Sequence, residues 1–311
     1  MNVLESISLD LMVPEATLDH IIRSAPYRYK VFEIDRKDRK SKRTIAQPAR
    51  EVKDIQYWVM DKILSAFPCH GAAMAYRKGR SIATNAAKHA PARFLLKLDF
   101  KDFFHSITAE DFEAFLLRHD GIGLSREDVV RLKKILFWNR GRAGKLVMSI
   151  GAPSSPMLSN ILMYEFDKKV QAFCSRRRVK YSRYADDLTF STTRPNVLRE
   201  VEVQVAEICE RMDHPRLRLN TDKTVHASRG GARRVTGLVL ANGGVVSLGR
   251  DRKRLIRAQV HRFLSGRLSP DEASQLRGML AFVNSAEPSF IQTLRDRCGD
   301  AEIDRIINPR G

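Results

Sequence analysis

The sequence predicts an α+β fold. Short strand patterns cluster in the middle of the 311-residue chain, helical periodicity takes over after Leu248, and 43% hydrophobic residues suffice for a packed core. Residues 1–25 read as short helix, with Pro14 near a helix start and Pro26 closing the segment. VFEIDRKDRKSKRTIAQP (31–48) alternates at both ends around a charged middle, which predicts a β-hairpin with a basic tip. Val52, Ile55, Val59, Ile63 and Leu64 recur at helical spacing within 49–66. FLLKLDF (94–100) is a short apolar run, a buried strand with the Asp99 carboxylate at its mouth. Thr108 N-caps a helix over 107–119, with Asp111 at the capping-box position in place of the usual Glu or Gln. Residues 154–177 predict one long amphipathic helix, and YSRYADDLTFS (181–191) a strand, a tight acidic turn and a strand. A helix over 197–212, a short strand over Arg216–Leu219 and a hairpin within 235–247 follow, with Asn242-Gly243 as the hairpin turn. The domain boundary is placed near 240–250, dividing 1–240 from a helical 241–311.

Charge narrows the partners. Lys plus Arg number 55 against 36 Asp plus Glu, a formal net charge of +19. Such an excess selects polyanions. Nucleic acid is the first choice and an anionic membrane the second, because no hydrophobic anchor accompanies the basic runs. Two dense basic tracts, 36–53 and 250–267, could form two walls of a clamp on a nucleic-acid backbone. No apolar run reaches the roughly 18 residues that span a bilayer. The acidic N-terminal residues argue against a secretory signal, so a cytoplasmic location is expected. Cys69, Cys174, Cys209 and Cys298 are scattered without a CxxC pair, which argues against zinc and a disulfide scaffold.

Three acids carry the chemistry. Asp99 closes an apolar strand, and Asp186 and Asp187 share a turn flanked by Tyr184 and Phe190. An Asp pair alone is an ordinary turn, and a lone strand-end Asp an ordinary cap. Two carboxylates about 4 Å apart repel by about 4 kcal/mol at an effective dielectric of 20. A hard cation reverses that sign, and oxygen donors select magnesium. Two ions about 4 Å apart suit phosphoryl transfer.

These segments resemble reverse transcriptases, in the family's order over roughly 30–240. Tyr184-Ala185-Asp186-Asp187 is similar to the YxDD hairpin, and LLKLDFKDFFHSI (95–107) to the first palm carboxylate motif. SIGAPSSPMLSN (149–160) resembles the template-positioning motif, LNTDKT (219–224) the later palm turn and KRTIAQP (42–48) the fingers motif. Asn85-Ala86-Ala87-Lys88-His89 matches the NAxxH signature of retron reverse transcriptases, and Val235-Thr236-Gly237 their VTG signature. The short length, without a maturase or nuclease extension, also resembles retron enzymes.

The resemblance implies a right-hand polymerase: fingers and a palm of antiparallel sheet plus helices over 1–240, and a helical thumb over 241–311. It implies that Asp99, Asp186 and Asp187 bind two Mg²⁺, helped by the Phe100 backbone carbonyl. Asp99 and Asp186 would bridge both ions, with Asp187 more peripheral. Phe100, Lys101, Asp102 and Phe103 would cradle the triphosphate through backbone amides. Phe104 would wall off a ribose 2′-OH, or else be an ordinary core residue. Arg43 would grip incoming phosphates, with Arg36 or Lys37 adding a contact, and Lys223 would protonate departing pyrophosphate. Gly151 belongs to the nucleotide site, although Ile150 stands where the family often has Gln. Ser155-Pro156 is intact, and Pro156 also suits a helix start.

Arg250, Arg254, Arg257 and His261 share one helix face, with Ile256, Val260, Phe263 and Leu264 on another. A basic face over an apolar one fits a thumb helix along duplex phosphates. Asn85, His89, Val235, Thr236 and Gly237 are the retron-type candidates for RNA binding, with His89 alternatively a satisfied loop histidine. The expected function is synthesis of branched RNA-linked DNA (msDNA) from a cognate structured noncoding RNA (msr-msd) with deoxynucleoside triphosphates. An effector or toxin partner and a role in phage defence are expected. Group II intron or diversity-generating enzymes are the alternative, as is a catalytically silent RNA-binding scaffold.

Overall fold

The computed structural model describes residues 2–35, 42–119, 123–141 and 144–308. Helix α1 (Val3–Leu11) ends at Met12 in the left-handed region, and α2 (Glu15–Ser24) starts just after Pro14. Strands β1 (Tyr29–Asp35) and β2 (Lys42–Pro48) form the antiparallel hairpin, in register from Tyr29 with Pro48 to Asp35 with Lys42. Its tip, including Arg36 and Lys37, lies outside the described residues. Helix α3 (Arg50–Lys62) follows, then α4 (Ile82–His89), whose Ser81 and Thr84 make a reciprocal N-terminal box. Strand β3 (Phe94–Asp99), the short α5 (Phe103–Ser106), α6 (Ala109–Leu117) and α7 (Arg126–Leu136) come next. Thr108 caps α6 and Asp111 returns the bond, as its local sequence predicts.

A small hairpin of β4 (Trp138–Asn139) and β5 (Leu146–Val147) leads to α8 (Ser154–Leu162) and α9 (Tyr164–Arg176). The expected single helix over 154–177 is thus two, parted at Met163. Leu158, Ile161, Leu162 and Met163 are all buried, so this stretch is core on several sides and local amphipathicity does not show the break. Strands β6 (Lys180–Tyr184) and β7 (Asp187–Thr192), then α10 (Val197–Arg211), agree with expectation. Arg216–Leu219 does not: it is irregular, with a Leu219–Phe100 bridge just past the end of β3. Its Arg218 carbonyl accepts from the Lys101 amide at 2.8 Å. Sequence reading missed strand β8 (Val225–Ser228), as it did the small β4–β5 hairpin.

The four-stranded sheet, at the place where the resemblance expects a palm, has the order β6-β7-β3-β8, antiparallel throughout. Alternate strand residues enter the main core with α9 and α10, including fully buried Leu96, Tyr181 and Phe190. Strands β9 (Arg234–Val235), β10 (Leu238–Leu240) and β11 (Val246–Ser247) make a second sheet, order β11-β10-β9. Helices α11 (Arg250–Leu264), α12 (Pro270–Ala286), α13 (Pro288–Cys298) and α14 (Asp300–Ile307) complete the chain. A division at 240/241 cuts this second sheet. Val235, Leu238 and Leu240 share an apolar cluster with the C-terminal helices and with Ala86 of α4 and Ala90 just after it.

Candidate active site

The acidic turn is positioned from beneath. Tyr184 pairs with Asp187, leaving Ala185 and Asp186 as a two-residue turn. Ala185 has φ 57°, a conformation that strains a side-chain-bearing residue. The turn is held by Arg183, which is fully buried against fully buried Asp167. Arg183 Nε and Nη2 donate to the Asp167 carboxylate at 2.9 and 2.7 Å, and Nη1 donates to the Asn160 Oδ1 and the Ala185 carbonyl, each at 3.2 Å. Tyr181 donates its hydroxyl to the same carboxylate at 2.7 Å. Sequence reading missed this network, because nothing local marks the Arg beside Tyr184 as an inward-facing residue.

The acids converge. Asp99 is the direct cross-strand partner of Asp187, and the Phe100 amide donates to the Asp186 carbonyl at 3.2 Å. Opposed residues in such a pair have Cα atoms about 4.5–5.5 Å apart. Burial pushes the Asp186 carboxyl above its ordinary range, and the charges of Asp99 and Asp187 push it further. Asp187 is also raised, by burial first and then by Asp99, against Lys97 and Lys223. Lys223 Nζ donates to Asp99 Oδ1 at 2.8 Å, while Lys97 Nζ stands 3.8 Å from Asp187.

Among the described residues no three acidic, His or Cys side chains form a ready-made cation shell. The donor chemistry nonetheless fits hard cations: crowded carboxylates that raise one another's proton affinity are what a dication relieves. Asp99, Asp186 and Asp187 would hold such ions, with Lys223 supplying the positive charge on Asp99 in their absence.

A cleft of about 890 Å³ opens in front of this cluster. It brings together Arg43, Phe100, Lys101, Asp102, Phe103, Phe104, Gly151, Asp186 and Lys223, from segments far apart in the chain. Gly151 has φ 124°, and a Cβ there would meet the Ala46 carbonyl oxygen at 2.9 Å. The Ala46 amide donates to the Ile150 carbonyl at 2.8 Å, so this glycine locks the β2 hairpin strand onto the palm.

The expected amide cradle is reduced. The Phe100 amide is taken by Asp186 and the Lys101 amide by Arg218. Those of Asp102, Phe103 and Phe104 remain, where α5 starts and intrahelical acceptors are lacking. Asp102 itself is turned aside: it accepts from Arg140 Nη1 at 2.7 Å and pairs with His105 Nδ1 at 2.8 Å. Burial raises the Asp102 carboxyl, but the bonds from Arg140 and His105 outweigh it and hold the group below its ordinary value. Arg140 lines the cleft, as do Lys53, Tyr57 and Tyr76, none of which the motifs single out.

Three of the retron-type candidates are corrected by their burial. Asn85, His89 and Val235 are fully buried and offer no surface to RNA. His89 Nδ1 and Nε2 each lie 2.7 Å from a serine hydroxyl, Ser191 on β7 and Ser182 on β6. Ser182 donates to Asn85 Oδ1 at 2.6 Å, so it accepts from His89 Nε2–H, and Nδ1 is left to accept from Ser191. The ring is therefore neutral, and burial, with help from Lys88 and Lys180, lowers its pKa to about 3. These residues dock α4 on the palm strands. Val235 closes a two-residue turn in which Thr236 (φ 47°) and Gly237 (φ 81°) both lie in the left-handed region. Thr236 Oγ1 donates to the Ile82 carbonyl at 3.1 Å, tying the turn to the start of α4. The side chain of buried Arg233 donates to the carbonyls of Ala90, Ala92, Leu240 and Ala241, fastening the other end. Gly237 alone of this group is exposed. Arg250, Arg254 and Arg257 are exposed along α11, with Ile256 and Val260 buried beneath. The Arg257 guanidinium sits 5.1 Å from the Phe290 ring centre.

Comparison with known proteins follows the same lines. The family described as reverse transcriptase (RNA-dependent DNA polymerase) matches residues 34–262. The chain belongs to this family. It is 40% identical over 291 residues to the Retron Ec83 reverse transcriptase of Escherichia coli, covering 93% of each chain. It is 33% identical to the Retron Ec86 reverse transcriptase of Escherichia coli, covering 92% of this chain and 85% of the relative. It is 36% identical to the Retron Mx162 reverse transcriptase of Myxococcus xanthus, covering 80% of this chain and 56% of the relative. The chain is thus a reverse transcriptase of the retron type. Apo telomerase from Candida tropicalis shares the fold with a TM-score of 0.52 at 12% identity, covering 90% of this chain and 60% of that one. The architecture is the right-hand polymerase, an α+β arrangement of fingers, palm and helical thumb.

Proposed function

We propose that this reverse transcriptase copies a cognate structured noncoding RNA into branched, RNA-linked single-stranded DNA. Priming would start from a 2′-OH within that RNA. The observation that carries the reading is the cross-strand register of Asp99 with Asp187, beside Asp186 at the lip of a cationic cleft. Two Mg²⁺ held by the three carboxylates would activate the attacking hydroxyl and stabilise the leaving oxygen. The chain's own residues do the rest. Arg43 and Lys101 neutralise the triphosphate as it enters. The amides of Asp102, Phe103 and Phe104 orient it. The Phe104 ring, half-buried at the cleft wall, crowds a ribose 2′-OH. Lys223 holds a proton within reach of the departing pyrophosphate. The exposed arginines of α11 grip duplex phosphates behind the growing end.

No described helix is long and apolar enough to cross a membrane. Action in the cytoplasm, with an effector protein in defence against phage, is part of the same proposal.

Primer extension on an RNA template with Mg²⁺ tests the assignment. Wild type is expected to incorporate deoxynucleotides and Asp186→Asn to lose incorporation by at least a thousandfold. Preserved extension by Asp186→Asn would remove the site. Phe104→Ala should admit ribonucleotides; unaltered sugar discrimination would remove the gate.

A further inference from the structure

The palm sheet has a second end. Strand β3 runs from Phe94 to Asp99, so its first residue lies about 17 Å from the carboxylate cluster, five steps at about 3.3 Å each. At that end Phe94 pairs with Thr192 of β7 and with Ser228 of β8. The register gathers three connections at one corner. The Arg93 amide donates to the Thr192 carbonyl, and the Arg229 amide donates to the Arg93 carbonyl, both at 3.1 Å.

A shallow groove of about 260 Å³ lies here, lined by Phe94, Arg194, Asn196, Arg199, His226 and Ser228 among others. The Arg93 guanidinium stands 5.4 Å from the ring centre of Phe94, which lines the groove. Arg93, Arg194, Arg199 and Arg229 are all exposed. Among the described residues none of the four is paired with an acid. Of the nearby acids of α10, Glu200 accepts from Arg177, and Glu202 bonds His226 at the groove itself, so neither pairs with the four arginines. Strand β8 is the edge of its sheet, so its outer backbone groups are unpaired by the sheet. Neither basic tract of the sequence contributes to this corner.

Four exposed guanidiniums that form no ion pair among the described residues, gathered at a groove lined by Phe94, Asn196 and Ser228, match one chemistry. We infer that this corner of the palm is a second nucleic-acid surface, which binds the phosphodiester backbone of the structured RNA outside the segment being copied. The inference rests on the proposed RNA substrate. Its arginines position phosphates and read no sequence. The surface anchors the folded body of the RNA while the copied strand moves through the cleft.

The test is binding of a structured RNA hairpin to the full chain across a salt series. Arg93→Ala/Arg194→Ala/Arg199→Ala should lower affinity about tenfold near 0.15 M salt. Loss of three phosphate contacts should flatten the slope of log K against log salt by about 2–3. The three Lys replacements should keep most of the slope. Single-nucleotide addition on a short primer–template, which fills only the cleft, should not change. A DNA hairpin of the same sequence separates the sources: a smaller loss on DNA marks the ribose-bearing backbone, an equal loss marks phosphate alone. Unchanged affinity and slope on both hairpins overturn the inference. A wild type that binds no structured RNA would instead overturn the proposed function, so the two failures are distinct.

Discussion

Arg183 offers the sharpest separation of stability from catalysis. Arg183 and Asp167 are both fully buried and joined by hydrogen bonds as short as 2.7 Å. Replacing Arg183 by Met alone strands the Asp167 charge in the core, at a cost of about 3–5 kcal/mol. Unfolding entropy near 60 °C is about 2.1 cal/mol/K per residue. Over 311 residues this is about 0.65 kcal/mol/K, so Tm should fall by about 5–8 °C. Replacing the whole network (Arg183→Met, Asp167→Leu and Tyr181→Phe) removes every charge and the hydroxyl that bonds it. Stability should then return to within about 2 kcal/mol of wild type, because a buried pair repays little more than its own desolvation. The Ala185 carbonyl nonetheless loses its donor, and the strained turn loses its clamp. Differential scanning calorimetry and single-nucleotide incorporation should therefore part company: Tm recovers while kcat stays at least tenfold down and KM for nucleotide moves little. Full recovery of kcat in the triple variant would refute a positioning role for Arg183.

Further outcomes follow from the same geometry. Arg140→Ala, which frees Asp102 at the cleft, should raise KM for the incoming nucleotide several-fold with kcat nearly unchanged, read by steady-state kinetics. The raised Asp186 carboxyl destabilises the cation-free fold above its own pKa, where folded and unfolded states are both ionised. Asp186→Asn should therefore raise Tm at neutral pH without Mg²⁺, and the gain should vanish as pH falls below the ordinary carboxylate range. His89 is neutral in the fold down to about pH 3, whereas the unfolded chain takes up its proton near pH 6.5. Stability should fall by a few kcal/mol as pH drops through that window, and His89→Gln should flatten the decline in a pH series of Tm.

Much of the fold was legible because it is local. The N-cap at Thr108, the helices over 50–62 and 197–211 and the YADD hairpin follow from periodicity and turn chemistry over a few residues. The break at Met163 was hidden because buried positions there surround the helix rather than marking one face. Strand β8 was hidden because it is a short edge strand with half-exposed residues and no alternation to read. At the site, the acids, Arg43 and Lys223 announced themselves through motifs, whereas Arg140 and Arg183 carry no local signal. His89 and Asn85 show the reverse. A motif marked them as distinctive, and burial shows them fastening α4 to the palm instead of meeting RNA.

What the chain's order of residues decided alone was the set of chemical groups: three acids at strand ends and the turn between them, a basic excess and a helical C-terminal segment with arginines along one face of its first helix. What folding decided was proximity. Asp99 faces Asp187 because β3 and β7 pair in one register, and a slip of one residue would turn every side chain of the strand to the other face. That register is set by apolar packing between segments remote in sequence. The same packing decides which polar groups, such as Arg183 and His89, are drawn inside, and which arginines meet at a corner of the sheet.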